Sequence, residues 1–183
     1  IKIVDFLKKK NLEPEFKRPK NLSGDKVPLS EILKYVVNKF KKKEIYYDEV
    51  WLLYSCSPLI SYKDLILASK KFNKTNKNLP LISVREYDAP IEWAFKKKKN
   101  IFEAISSNSL KIRSQDVKKN YYESASFIIF KTSHLFKKDN FKYYGYELKK
   151  NYAIDIDTKE DLDIARALYK YNLKQTKFKT KDE

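Results

Sequence analysis

Apolar residues at positions 32, 33, 36, 37 and 40 of LSEILKYVVNKFKKK recur with a period of 3.6, which predicts an amphipathic helix. The next stretch, YDEVWLLYSCSPLIS, changes character. It is a continuous apolar run of the kind a central parallel strand carries, broken at Ser57-Pro58. Helical spacing returns in YKDLILASKKFN (62–73), and NLPLISVREYDA reads as a further strand. The alternation β-α-β-α-β predicts an α/β sheet. Upstream, IKIVDFLKKKN reads as the end of an amphipathic helix, and PEFKRP as a short strand before the polar turn NLSGDKVP. Downstream the pattern loosens. APIEWAFKKKKNIFEAIS reads as short extended pieces, and RSQDVKKNYYESASFIIFKTSHLF as a turn or short helix, a strand (SASFIIF) and another short helix. FKYYGYELKK reads as a strand before the closing elements. No internal repeat or linker interrupts the chain, so residues 1–172 are expected to form one domain, followed by a basic tail over 173–183.

The closing stretch NYAIDIDTKEDLDIARALYKY carries the chemistry. Read as a strand, AIDID turns Asp155 and Asp157 to one side and Ile154 and Ile156 to the other. Thr158 reads as an N-cap with Asp161 closing a capping box. Leu162, Ala165, Leu168 and Tyr169 follow at helical spacing as one apolar face. The strand would thus deliver two carboxylates to the end of the sheet where open α/β folds bind ligands. Paired hard oxygens there suit Mg2+ held jointly with a substrate phosphate. Acidic decoration of a helix N-terminus, favoured by the dipole, is the alternative.

Composition narrows the class. Apolar residues make up 42% and aromatics 15% of the 183, which is globular rather than disordered. No apolar run approaches the roughly 20 residues of a membrane span. The lone Cys56 excludes an internal disulfide framework and fits a cytoplasmic protein. His134 is the only histidine, which argues against His-based zinc sites and Ser-His triads. A formal net charge of +16 invites a nucleic-acid reading. Against it, the charge is nearly all lysine scattered through every segment, with only Arg18, Arg85, Arg113 and Arg166 to supply forked donors. The run KKKKN (96–100) reads as solvated surface.

Two absences weigh more than the charge. There is no methionine, and Gly24 and Gly145 are the only glycines, so the chain carries no glycine-rich phosphate cradle. We expect it to be a fragment that lacks an N-terminal phosphate-loop segment and is inactive on its own.

In order along the chain, FKRPKNLSGD (16–25), LLYSCSPLI (52–60), RSQD (113–116) and AIDIDTKEDL (153–162) resemble elements of the nonulosonic acid cytidylyltransferases. This family includes the CMP-sialic acid synthetases and the pseudaminic acid enzymes. The resemblance covers nearly the whole chain to about residue 172. It implies a Rossmann-like nucleotidyltransferase fold, with a mostly parallel central sheet flanked by helices. It also implies transfer of CMP from CTP to the anomeric hydroxyl of an acid sugar, with release of pyrophosphate and use of Mg2+.

By the same resemblance Asp155 and Asp157 are metal ligands, and Asp157 is the better placed to help deprotonate the attacking hydroxyl. Arg18 matches a residue beside the nucleotide, with a surface arginine as the alternative. Tyr54 and Ser57 fall over the expected sugar site, although Tyr54 also suits ordinary core. Arg113 and Gln115 match sugar-side positions, where an arginine fork can pair with a carboxylate. Tyr54, YDAPIEWAF (87–95) and Glu123 in YYESASF (121–127) are nearer the pseudaminic branch. Relatives are commonly dimers, so residues 88–105 are a candidate interface. This chain departs from many relatives at Pro28-Leu29 and at Ser124-Ala125, where an Ala-Gly or Asn-Gly pair is common. Other nucleotidyltransferases of this fold, such as the 3-deoxy-manno-octulosonate enzyme, and a basic nucleic-acid-binding module are the competing readings.

Overall fold

A computed structural model of the chain describes residues 2–138 and 141–179. Four helices carry most of the helical content: α1 (Lys2–Lys8), α2 (Leu29–Lys41), α3 (Tyr62–Lys74) and α4 (Lys159–Lys179). A four-stranded sheet is built from β1 (Glu49–Leu53), β2 (Leu81–Glu86), β5 (Tyr121–Lys131) and β6 (Tyr144–Glu147), in the order β1-β5-β2-β6. Between β2 and β5, β3 (Phe95–Lys98) and β4 (Ile101–Ala104) form a separate antiparallel hairpin.

This is the α/β fold that the alternating pattern predicts, with a correction to the sheet. β1, β2 and β6 run the same way, but β5 is antiparallel to both β1 and β2, so β2–β6 is the one parallel pair among the described strands. The apolar run at 49–53 is an edge strand of this sheet rather than a central parallel one. Its side chains are apolar because both faces are covered. Val50 and Leu52 pack towards Leu33 and Val37 of α2 and Leu135. Trp51 faces a second core of Ala68 and Phe72 from α3 with Leu81, Phe127 and Ile129. Burying a side chain of this size is worth about 1.5–3 kcal/mol, so these two clusters fix which way each strand faces.

α3 starts where the sequence places it, with Ser61 and Asp64 forming a reciprocal capping box. α2 likewise buries Leu33 and Val37 of its predicted stripe. Two expected strands are absent. Residues 14–19 are irregular, because Phe16 instead packs edge-on against Tyr35 and Phe40 of α2. Residues 153–157 form no strand and pair with none in a ladder. On α4, Ala165 is buried as expected, whereas Tyr169 is exposed and Asn172 takes the buried place, bonded to Asn151. The helix runs to Lys179, past the expected start of the tail at residue 173; residues 180–183 lie outside those described. Among the described residues no helix is long and apolar enough to cross a membrane.

Candidate active site

The site begins with an irregularity in β5. Ile82 pairs with Ile128, yet Val84 pairs with Glu123, so the single residue Ser83 of β2 faces four residues, 124–127, of β5. The surplus is taken up around Ala125, whose φ of 47° is left-handed. A bulge leaves backbone donors without ladder partners. The buried hydroxyl of Ser83 accepts from the N–H groups of Ser126 (3.2 Å) and Phe127 (3.0 Å). Ser126 in turn shares a 2.8 Å hydroxyl bond with Ser57 and donates to the Ser124 carbonyl. Small hydroxyl residues at 83, 124 and 126 of otherwise apolar strands are the sequence trace of this arrangement.

The left-handed conformation of Ala125 costs an L-residue roughly 1–2 kcal/mol. Part of that is offset by the greater freedom that glycine gives the unfolded chain. Ala125→Gly is therefore expected to stabilise the fold by about 1 kcal/mol. Urea unfolding checks this: a midpoint that falls would mean that Ala125 is not held left-handed.

The bulge ends at Glu123, which accepts a 2.9 Å hydrogen bond from the Tyr54 hydroxyl at the C-terminal end of β1. Burial, then the neighbouring Glu123 and Asp155 carboxylates, push the Tyr54 hydroxyl well above the usual tyrosine range, so it stays a donor. Beside the pair is a cavity of about 250 Å³, floored by Leu52, Ile82, Ile128 and Phe130 and closed by Leu29. The departure at Pro28-Leu29 thus places a leucine on the cavity wall.

The acidic segment is tied to this end of the sheet at two points. The Ile156 N–H donates to the Cys56 carbonyl (2.9 Å) in the turn after β1, and Arg85 of β2 reaches the Ala153 carbonyl (3.4 Å). Arg85 itself is ion-paired with Asp88 at 2.6 Å. Two single bonds, not a ladder, therefore hold Asp155 and Asp157 next to Tyr54. Asp155 is half-buried and its carboxyl is raised by burial and then by the charges of Asp157 and Asp161. Thr158 and Asp161 form the predicted capping box, which draws the Asp161 carboxylate back onto the Thr158 N–H (2.8 Å) and hydroxyl (2.7 Å).

The donor set fits a hard divalent cation. Asp155 carries mutually repelling negative neighbours, and a cation between Asp155 and Asp157 would relieve that repulsion. Among the described residues no group of three or more His, Cys, Asp or Glu converges as a complete cage. Mg2+ is a cation that takes one or two carboxylates from a protein and completes its shell with phosphate and water.

The other predicted residues are dispersed. Ser57 is buried beneath the turn, bonded to Ser126, rather than open over a pocket. Arg18 is exposed on the segment that Phe16 and the Tyr35–Lys17 hydrogen bond pin against α2. Arg113 and Gln115 are exposed around the short 3-10 turn Ser114–Asp116, with the Arg113 Nε bonded to Asp116 at 3.0 Å. The structure joins Tyr54 and Asp155 with Glu123; among the contacts of the described residues, none joins these to Arg18, Arg113 or Gln115. Sequence reasoning named Glu123 only as a mark of the pseudaminic branch and not as the partner of Tyr54, and it missed Arg85.

An α/β sheet with an acidic pair on the loop at its strand ends has the layout of a nucleotide-handling enzyme. No model of a known protein family matches the chain. Individual proteins do. The chain is 30% identical over 175 residues to the pseudaminic acid cytidylyltransferases of Campylobacter jejuni subsp. jejuni serotypes O:2 and O:23/36. Each alignment covers 93% of this chain and 75% of the relative. The chain belongs to the nonulosonic acid cytidylyltransferase family, and its class of activity is that of a sugar nucleotidyltransferase.

Proposed function

We propose that the protein transfers CMP from CTP to the anomeric hydroxyl of pseudaminic acid, or of a close 5,7-diamino relative, in the cytoplasm. The products are the CMP-sugar and pyrophosphate, and the activated sugar would serve cell-surface or flagellar glycan synthesis. One observation carries the choice of sugar: the Tyr54–Glu123 pair stands at the mouth of an apolar cavity and beside Asp155. A sugar with acyl groups and a terminal methyl fits such a wall better than one ending in a hydroxylated glycerol tail.

When bound at Asp155 and Asp157, Mg2+ supplies charge neutralisation at the α-phosphate and acidifies the attacking hydroxyl. The protein's own groups do the rest. The Asp157 carboxylate accepts the proton that leaves the anomeric oxygen as its bond to the α-phosphorus forms and the bond to pyrophosphate breaks. Tyr54, held by Glu123, presents its ring to the sugar. Arg18 serves the nucleotide, while Arg113 and Gln115 serve the sugar carboxylate and its polar groups. Ser57 acts from beneath, holding the turn after β1 through Ser126. The exposed Phe95, Ile101 and Phe102 of the β3–β4 hairpin form the contact surface of a homodimer, within the expected segment 88–105.

The test is competition between pseudaminic acid and N-acetylneuraminic acid for CTP in the full-length protein. We expect a higher specificity constant for pseudaminic acid. Equal constants, or the reverse preference, would sink the assignment.

A further inference from the structure

A second cavity, of about 320 Å³, lies at the other end of the sheet. Its walls include Asn78 just before β2, His134, Lys137 and Lys138 just after β5, and Ser30 and Lys34 from the first turns of α2. Because β5 runs against β2, Asn78, His134, Lys137 and Lys138 belong to the end of the sheet opposite Glu123, while Ser30, Phe130 and Tyr143 are walls shared with the cavity beside Tyr54. The volume is at the small end of the range for ligand sites and is far larger than one water.

Three lysines converge on this cavity, and Glu31, paired with Lys34 at 2.8 Å, is the acidic group that approaches them on α2. A second feature is independent of the charge. The Nδ1 of His134 is buried and has no hydrogen-bond partner among the described residues. A buried polar atom without a partner is unfavourable and rare, and a small turn of the ring, whose residue lines the cavity, would let it be satisfied from there. The ring is held low in basicity by burial, then by Lys137 and, more weakly, Lys131, while the Lys77 backbone acts the other way. An imidazole nitrogen in this setting can accept from a P–OH or, once protonated, donate to a phosphate oxygen. Opposite the polar groups, Phe130 and Leu135 line an apolar wall.

We propose that this cavity is an anion site, distinct from the acidic pair, that takes a small phosphorylated metabolite. The phosphate lies among Lys34, Lys137 and Lys138 beside the His134 ring, and the carbon body lies against Phe130 and Leu135. Lysine is a point-charge phosphate binder, so the site selects charge and size more than geometry.

His134 is the only histidine, so its ring proton resonances report on this cavity alone. The experiment is a proton NMR titration of the 183-residue chain with inorganic phosphate and with glycerol 3-phosphate, against potassium chloride at matched ionic strength. Both phosphates are expected to move the His134 signals saturably and to raise the pH at which the ring titrates, with glycerol 3-phosphate the tighter. The double variant Lys34→Gln/Lys137→Gln is expected to weaken both by about tenfold. These are exposed or half-exposed side chains, so the variant should keep its fold, which an unchanged circular dichroism spectrum and thermal midpoint report. Chloride moving the signals equally, or a double variant that responds as the parent does, overturns the site. Glycerol 3-phosphate binding no tighter than phosphate overturns the assignment to a metabolite.

Discussion

Asp157→Asn in the full-length protein is expected to lower CMP transfer about a thousandfold, the size of effect that follows from losing a few kcal/mol of transition-state charge stabilisation. The substitution keeps the shape of the side chain and removes one negative charge. Asp157 is exposed, and its backbone N–H already has the Asp161 carboxylate as a partner at 3.2 Å. Thermal unfolding should therefore change little, which separates lost chemistry from lost fold. Asp155→Asn is expected to act in the same direction and to raise the Mg2+ concentration needed for half-maximal rate. It also removes a repulsion, since Asp155 is half-buried beside Asp157 and Asp161. Wild-type rates in both variants at limiting Mg2+ would return the acidic pair to mere decoration of a helix end.

The second large effect concerns the acceptor. Tyr54→Gln is expected to narrow the preference for the diamino sugar over N-acetylneuraminic acid by about 10- to 200-fold, the range that a lost apolar or hydroxyl contact spans. The change replaces an aromatic ring at the mouth of an apolar cavity with an amide. Tyr54→Phe is the control, because it removes only the 2.9 Å bond to Glu123. If Glu123 serves chiefly to hold the ring, the Phe variant keeps most of the preference. Measured ratios of kcat/KM for the two sugars decide it: a Gln variant with the parent's ratio would show that Tyr54 does not read the acceptor.

How much of this was legible in the residues depends on the range of the interaction involved. The helices α2 and α3 and the Thr158–Asp161 box were readable because their causes are local: a stripe at helical spacing, or a cap three residues from its partner. The edge position of β1 was not. Its apolar run reports that both faces are covered, and burial by α2 on one side and α3 on the other gives the same pattern as a place in the middle of a parallel sheet. AIDID alternates like a strand, yet only one backbone bond, Ile156 to Cys56, ties it to the β1 end. Alternation records which side faces the core, not whether a neighbouring strand is there to pair. The pairing of Glu123 with Tyr54 was hidden for another reason. The two lie 69 residues apart, and the bulge that aims Glu123 depends on the three serines and on the left-handed Ala125 together.

That bulge governs how the strand can vary in length. From Phe127 to Lys131, β5 pairs along its length with β1, so a residue gained or lost there would turn each following side chain to the wrong face. Residues Tyr121 to Glu123 pair with β2 alone, and the loop of surplus chain at Ser124–Ser126 stands between the two segments. A change of one residue within that loop could be absorbed without moving Phe127 or Ile129 in the core. It would advance or withdraw Glu123 by a whole residue step relative to Tyr54. The strand is an anchored stem with an adjustable tip, in which a gain or loss of one residue resets the reach of a side chain and leaves the core register alone.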